Sequence, residues 1–133
     1  MNSKVTNLSS IYAPVSLGEL IDKITILEIK QINVTGIKRN NVDKELKMLK
    51  SVIQVKDLEI DIDLINNLKK VNQNLWEIED NIRIKERNQE FDKEFIELAR
   101  SVYKENDKRA SIKKEINQKY HSELTEEKLY KVY

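Results

Sequence analysis

Residues 64–88, LINNLKKVNQNLWEIEDNIRIKERN, carry the most regular apolar pattern in the chain and decide its predicted fold. Their apolar side chains recur at alternating steps of four and three, which places them on one stripe of an α-helix. The stripe consists of Leu64, Leu68, Val71, Leu75, Ile78 and Ile82. At about 1.5 Å per residue this helix is roughly 37 Å long, which is more than one short partner can cover. We therefore expect other helices to pack along it and bury the stripe.

The composition of the whole chain also favours an all-α fold. Its 133 residues include two Gly and one Pro, and 35% of them are charged. This composition is rich in helix formers and poor in the turn residues that β architectures need. The length suits one domain with one core. We predict a single helical domain over residues 1–133, with a flexible arm at 1–10 and a tail at 121–133 that packs on the bundle.

Charge and residue content exclude several classes of function. The formal net charge of +1 provides no strong basic field for binding nucleic acid or an anionic membrane. The chain has no Cys and one His, so thiolate sites and His-rich zinc sites are excluded. No apolar run reaches the length of a membrane span, and residues 1–10 lack the apolar segment of a signal peptide. We expect a cytoplasmic protein that binds neither nucleic acid nor membrane.

The first helix is predicted from a capping box. Ser16 and Glu19 have the S-x-x-E spacing in which the hydroxyl accepts a backbone N–H, so the helix should begin at Leu17. Its apolar residues extend beyond one stripe, and we therefore expect burial on more than one side. Gly36 can adopt the left-handed conformation that ends many helices, and a basic turn over residues 37–40 should follow.

Two further helix starts follow from capping residues. Asn40 or Asn41 can cap a second, shorter helix that runs to about residue 55. Residues 56–63 are interpreted as a loop. Asp61 or Asp63 can cap the long third helix, because acidic charge is favourable at a helix amino end.

The fourth helix completes the predicted bundle. Asp92 can cap a helix over residues 93–119, which forms an antiparallel hairpin with the third helix. In the tail, Thr125 can cap one more turn that packs Leu129 and Tyr130 on the bundle. We predict a four-helix bundle whose spine is this hairpin, with the first helix laid against it.

Polar residues interrupt the apolar stripe of the fourth helix at Asn106, Arg109 and Lys113. Buried charges are unfavourable unless they are paired, so these positions need partners, solvent or a ligand. If the hairpin turns near residue 90, Glu79 lies level with Arg100, Trp76 with Tyr103, and Asn72 with Asn106. One polar belt would then cross the hairpin, joined by two residues of the first helix. Its predicted ligand-binding residues are Asp22, Lys23, Asn72, Trp76, Glu79, Arg100, Tyr103, Asn106 and Arg109.

Two interpretations of this belt stay open. In the first it is a structural network, in which Glu79 also pairs with Arg83 at i, i+4. In the second it binds a small anionic molecule, because Arg is used there although the chain has 19 Lys and only 5 Arg. The planar guanidinium binds carboxylates and phosphates in a bidentate manner, which the Lys ammonium does not.

Two E-x-x-D spacings provide an alternative function. They are Glu19 with Asp22 and Glu77 with Asp80, and each places two carboxylates about one helical turn apart. Such pairs can hold magnesium against a phosphate-bearing substrate. The pattern resembles the all-helical nucleoside triphosphate pyrophosphohydrolases, whose magnesium sites use acidic pairs followed by an Asn/Lys/Arg cluster such as Asn106, Lys108 and Arg109. With 23 acidic residues the spacings also arise by chance. We expect no metal ligand or cofactor, with magnesium at these four carboxylates as the alternative.

Four longer blocks carry a second resemblance. They are PVSLGELIDKITILEIK (residues 14–30), NQNLWEIEDNIR (72–83), FIELARSVYKENDKRASIKKEIN (95–117) and TEEKLY (125–130). They resemble the signature blocks of an uncharacterised family of short proteins from marine phages and bacteria, with no counterpart for residues 37–60. This resemblance implies no activity. It does imply that the family pattern includes Glu19, Asp22, Lys23, Asn72, Trp76, Glu79, Asp80, Arg83, Arg100, Tyr103, Asn106, Asp107 and Arg109.

The predicted helix lengths also bear on association. Two helices near 40 Å in so small a chain leave apolar length uncovered, so we expect a homo-oligomer, most simply a dimer. The first helix, apolar on more than one side, is the expected contributor. The sequence therefore predicts a self-associating interaction module or a module that binds an anionic small molecule.

Overall fold

The structure is a computed structural model that describes residues 8–133, and within this range it consists of four α-helices without a strand. The helices are α1 (Leu17–Asn33), α2 (Gly36–Val55), α3 (Ile62–Arg87) and α4 (Lys93–Lys119). The most extensive contact between helices joins α3 and α4, which confirms the all-α bundle with a hairpin spine. Most of the flexible arm predicted at residues 1–10 lies outside the described residues. That arm and the single domain stay predictions.

Three predicted helix starts are confirmed with their capping hydrogen bonds. The Ser16 hydroxyl accepts from the backbone N–H of Glu19 at 3.1 Å. Asp61 caps α3 by accepting from the N–H of Asp63 at 2.9 Å, and Asp92 caps α4 by accepting from the N–H of Phe95 at 2.9 Å. Each bond pairs a backbone donor that has no partner inside its helix.

The connection between α1 and α2 is shorter than predicted. α2 begins at Gly36, so the expected turn over residues 37–40 and the caps at Asn40 and Asn41 are wrong. Gly36 does adopt the predicted left-handed backbone, with φ +66°, but as the first residue of α2. The chain reverses within Val34 and Thr35, which leaves the following residues free to continue as helix.

The predicted extra turn of helix in the tail does not form. Residues 123–133 have no helical structure, and Leu129 and Tyr130 are 93% and 80% exposed. The tail nevertheless contacts α4, because the rings of Tyr133 and Tyr103 meet edge to face at 4.8 Å. A hydrogen bond with Asp107 raises the pKa of Tyr133. Aromatic and polar contacts therefore hold the tail where apolar packing was expected.

The core forms around α1, which contacts each of the other three helices. One hydrophobic cluster joins α1 to α2, and a second joins α1 to α3 and α4. The first contains Leu20, Ile24, Leu27 and Leu46, and the second contains Ile21, Leu64, Leu68 and Ile116. The prediction that the first helix is buried on more than one side is confirmed.

The amino end of α1 lies very close to α4. A Cβ atom added to Gly18 would lie 2.5 Å from the carbonyl oxygen of Lys113. The N–H of Gly18 donates to Asn117 Oδ1 at 2.7 Å, and the N–H of Leu17 donates to Ser122 Oγ at 3.0 Å. The free donors of this helix end are thus bonded by α4 and the tail, an approach that only a residue without a side chain allows.

The far end of the hairpin is only two helices thick. No residue of α3 after Asn72, and none of α4 before Lys113, is buried. The predicted stripe is therefore buried at its start but only half-buried at Leu75, Ile78 and Ile82. α1 has 17 residues and α3 has 26, so α1 is too short to cover the whole stripe. We call residues 77–97 the distal hairpin.

Among the described helices, none is long and apolar enough to cross a membrane.

Candidate functional site

A buried polar network joins α1, α3 and α4. Asp22 of α1 has no exposed surface and accepts from Arg109 of α4, with Nε to Oδ1 at 2.9 Å and Nη2 to Oδ2 at 2.5 Å. Asn72 of α3 donates to Asp22 Oδ1 and to Thr25 Oγ1, both at 2.9 Å. The hydrogen bond with Asp22 raises the pKa of Arg109. A bidentate guanidinium thus neutralises a carboxylate that is removed from water.

A second cluster lies one turn along α4 and includes the tail. Lys113 is 6% exposed, and its Nζ donates to Glu19 Oε2 and Glu126 Oε2, both at 2.7 Å. Burial lowers the pKa of Lys113, but the bonds to Glu126 and Glu19 more than offset this, so its pKa lies above the ordinary value. The bonds from Lys113 and Lys128 hold the pKa of Glu126 at about 2. This cluster fastens the tail to the bundle.

Attachment of the tail is expected to depend on pH below about 4.5. The folded-state pKa of Glu126 is lowered from 4.5 to about 2, so its stabilising contribution is complete above 4.5 and is lost as pH falls toward 2. The 15N heteronuclear NOE values of residues 122–133 should therefore be higher in the wild type than in Glu126→Gln near neutral pH, and most of this difference should be lost by pH 2. Glu127→Gln, a neighbouring exposed substitution, is the control. A difference that persisted unchanged at pH 2 would contradict the assignment.

Two clefts flank Arg109. The first, the α1–α3 cleft, has a volume of about 520 Å³. Its lining residues are Ile26, Ile29, Lys30, Asn72, Leu75, Trp76, Glu79, Asp80, Arg83 and Arg109. The second, the α4–tail cleft, has a volume of about 490 Å³. Its lining residues are Glu19, Val102, Tyr103, Asn106, Asp107, Arg109, Ala110, Lys113, Glu126, Lys128 and Tyr130. A larger open depression of about 800 Å³ between α3 and α4 contains none of the predicted ligand-binding residues.

The predicted ligand-binding residues divide between these clefts. Asn72, Trp76 and Glu79 line the α1–α3 cleft, whereas Tyr103 and Asn106 line the α4–tail cleft. Arg109 lines both clefts and is held by Asp22. The remaining two, Lys23 and Arg100, are exposed and line neither cleft.

The expected pairs across the hairpin are wrong, although the expected level is close. Glu79 pairs with Arg83 of its own helix, which confirms the pair expected at i, i+4, and Arg100 pairs with Glu97 of its own helix. Asn72 turns to α1 and does not face Asn106. A bond of 3.4 Å between Asn74 Nδ2 and Glu105 Oε2 has the predicted register. The register of a hairpin therefore predicts which residues lie at the same height along its two helices. It does not predict on which face of its helix each residue lies.

The alternative magnesium site does not assemble from its four carboxylates. Glu19 binds Lys113 and Asp22 binds Arg109, while Glu77 and Asp80 are exposed on α3. Within residues 8–133, no group of three or more His, Asp or Glu side chains lies close enough to hold a metal ion. The carboxylates of α1 therefore bind cations of α4 and do not converge with those of α3.

Some residues of the site were not predicted from sequence. Thr25, Asn117 and Glu126 were not singled out, and Lys113 was noted only as an interruption of an apolar stripe. That interruption was the available signal, since both Arg109 and Lys113 face α1 and bind its carboxylates. The partners of the other three lie up to 99 residues away in sequence, so no local pattern indicates them.

The fold and the site define an all-α protein built on a long hairpin, with buried ion pairs between its first and last helices. The chain belongs to the family of unknown function DUF6165, which matches residues 11–133. The resemblance to an uncharacterised family is confirmed to that extent, and the marine phage or bacterial source stays a prediction. No curated protein and no solved structure matches the chain.

Proposed function

We propose that this protein is a helical interaction module that assembles with a second copy of itself. The supporting observation is its accessible surface of 10371 Å² for a mass of 15.7 kDa. A compact monomer of this mass exposes about 7,300 Å². The excess of about 3,000 Å² is larger than the roughly 1,200–2,000 Å² that a stable interface buries in total. The exposed residues 8–15, the extended tail and the two-helix distal hairpin all contribute to this excess.

The surface available for assembly differs from the one expected from sequence. The apolar residues of α1 are covered by the other helices, with Ile32 the only large one that is exposed. α1 is therefore not available as the main contributor to an interface. Exposed large apolar side chains lie instead on residues 8–15, on the tail, on α2 and on the distal hairpin. On the helical elements they include Ile37, Met48, Val52 and Val55 of α2, and Ile84, Phe91 and Ile96 of the distal hairpin.

Sedimentation equilibrium over the micromolar range tests the assembly. We expect the average mass to rise from that of the monomer to that of the dimer as concentration increases. Because burial of apolar area contributes to the affinity, the dimer should persist when salt is raised. Any contribution from charges should weaken with salt. A monomer at the highest concentration reached would overturn the proposal.

A second candidate function, binding of a small anionic molecule, is supported by the α1–α3 cleft. Asp22 uses Nε and Nη2 of Arg109, and Nη1 makes no hydrogen bond with any residue in the 8–133 range. Trp76, Ile26 and Ile29 give the cleft an apolar side. Lys30 adds a second cation; Arg83 also lines the cleft but is paired with Glu79, and Asp80 is a second carboxylate there. A ligand with a flat apolar part and a carboxylate or phosphate suits this combination.

Trp76 gives this candidate a direct readout because it is the only Trp of the chain. Titration with nucleotides, sugar phosphates and carboxylates should change its fluorescence if one of them binds in the cleft. Lys30→Gln should weaken that response, whereas Arg100→Gln, on an exposed residue outside the cleft, should not. If no compound changes the fluorescence or the melting temperature, the belt is a structural network.

The alternative of a magnesium-dependent nucleoside triphosphate pyrophosphohydrolase has less support. Two of its four candidate carboxylates, Glu19 and Asp22, already bind cations of α4. Pyrophosphate release from a panel of nucleoside triphosphates with magnesium would establish this activity, and we expect none.

A further inference from the structure

We infer that the two copies pair reciprocally, with α2 of each copy lying against the distal hairpin of the other. This inference rests on the proposed self-assembly and names the surfaces that meet.

The two surfaces carry opposite net charge. α2 has five basic and two acidic residues, and the distal hairpin has eight acidic and four basic residues. Pairing α2 with α2 would therefore bring together two surfaces of net charge +3, and pairing the two hairpins would bring together two of net charge −4. Like charges across an interface disfavour association, whereas opposite charges steer it and select the register. Only the α2-to-hairpin arrangement avoids repulsion on both surfaces.

Charges without internal partners remain on both surfaces. Within residues 8–133, neither Lys44 nor Lys47 of α2 forms an ion pair, although Lys50 of the same helix binds Glu28. On the distal hairpin the same is true of Glu77 and Asp80, which lie on the face of α3 that also carries Ile84. These four side chains are exposed and available to a second copy.

Other carboxylates of the distal hairpin are already used internally. Lys85 Nζ lies 3.1 Å from Glu90, 3.0 Å from Asp92 and 3.2 Å from Glu94. The bond to Asp92, followed by the bond to Glu90, raises the pKa of Lys85. This cluster holds the turn between α3 and α4 closed, so the acidic surface is presented on a turn with defined contacts.

Each surface also carries exposed apolar side chains that association would cover. Met48, Val52 and Val55 are spaced at i, i+4 and i+7, so they share one outward stripe of α2. Ile84 and Ile96 of the distal hairpin are 52% and 54% exposed. Charge thus selects the partner surface, and burial of apolar area supplies affinity.

A reciprocal contact has the symmetry of a closed dimer. When α2 of the first copy meets the hairpin of the second, a two-fold axis places α2 of the second on the hairpin of the first. Each contact then occurs twice, which doubles the buried area and leaves neither surface open to a third copy. A one-way contact would instead continue into an open chain.

Charge reversal in two separate variants tests this arrangement. The α2 variant carries Lys44→Glu and Lys47→Glu, and the hairpin variant carries Glu77→Lys and Asp80→Lys, so that each variant reverses two charges at i, i+3 on one helix face. Each variant alone should dimerise on the order of tenfold more weakly, because the reversed side chains meet side chains of like charge at both contacts and the attraction between the two surfaces is lost. An equimolar mixture should dimerise more tightly than either variant alone, since the heterodimer has one wild-type contact and one contact in which the reversed side chains of α2 face reversed side chains of opposite charge.

The controls separate this inference from the proposed function. A matched double reversal on exposed residues of α4, Lys104→Glu with Lys114→Glu, should leave dimerisation unchanged. Circular dichroism and the melting temperature of every variant verify folding. A wild type that is monomeric defeats the proposed self-assembly itself. A wild-type dimer that both variants leave intact, or a mixture that dimerises no more tightly than either variant alone, defeats the reciprocal arrangement while self-assembly stands.

Discussion

Replacing Arg109 by Ala is expected to lower the free energy of unfolding by about 3 kcal/mol, because it leaves a buried carboxylate without its cation. Asp22 has no exposed surface, and Arg109 provides two of its hydrogen bonds. The side chain of Arg109 is 30% exposed, so water can partly replace it, and the expected loss is at the low end for a broken buried pair. Urea unfolding followed by the fluorescence of Trp76 measures the loss.

A double-mutant cycle assigns the loss to this ion pair. Asp22→Asn combined with Arg109→Ala should cost less than the sum of the two single changes, because the double variant leaves no uncompensated charge. Arg100→Ala is the control, since Arg100 is exposed and its contacts within residues 8–133 are with Glu97 and Tyr103 of its own helix, one turn away. Its expected effect is within about 0.5 kcal/mol. If Arg109→Ala were no more harmful than this control, the pair would not be a main element of the fold.

Elements encoded by neighbouring residues were predicted well from sequence. The caps at Ser16, Asp61 and Asp92 each act on a backbone N–H within three residues, so the signal lies in a short window. The period of the apolar residues likewise predicts helices irrespective of what they pack against. The register of the hairpin followed from the position of its turn, as the bond between Asn74 and Glu105 indicates.

Features set by distant residues were not predicted. The partner expected for the belt arginines was Glu79, but Arg109 binds Asp22, 87 residues away. Which carboxylate Arg109 binds depends on how α1 is rotated against the hairpin. The close approach of Gly18 to α4 contributes to that rotation. The tail is a second example. A local helix signal at Thr125 was expected to determine its structure, but Lys113 of α4 binds Glu126 and no helix forms.

The depth of burial along α3 also depends on a distant element, namely where α1 ends. The sequence stripe treats Leu68 and Leu75 alike, yet Leu68 has no exposed surface and Leu75 is only half-buried beside the α1–α3 cleft. Leu68 packs in the cluster with Ile21, Leu64 and Ile116, where three helices meet. Leu75 lies beyond this cluster, in the part of α3 that α1 covers less completely.

Leu68→Ala should therefore lower the free energy of unfolding by about 4 kcal/mol, and Leu75→Ala by about half as much. The first change leaves a cavity among helices that cannot close around it, whereas the second opens onto a cleft that water already reaches. Urea unfolding of both variants at one low protein concentration keeps self-association from contributing to the comparison. Equal losses would mean that α1 or the tail covers Leu75 as completely as Leu68. A loss at Leu75 about half that at Leu68 would show that the three-helix junction contributes more to the stability of this chain than the part of α3 beside the α1–α3 cleft.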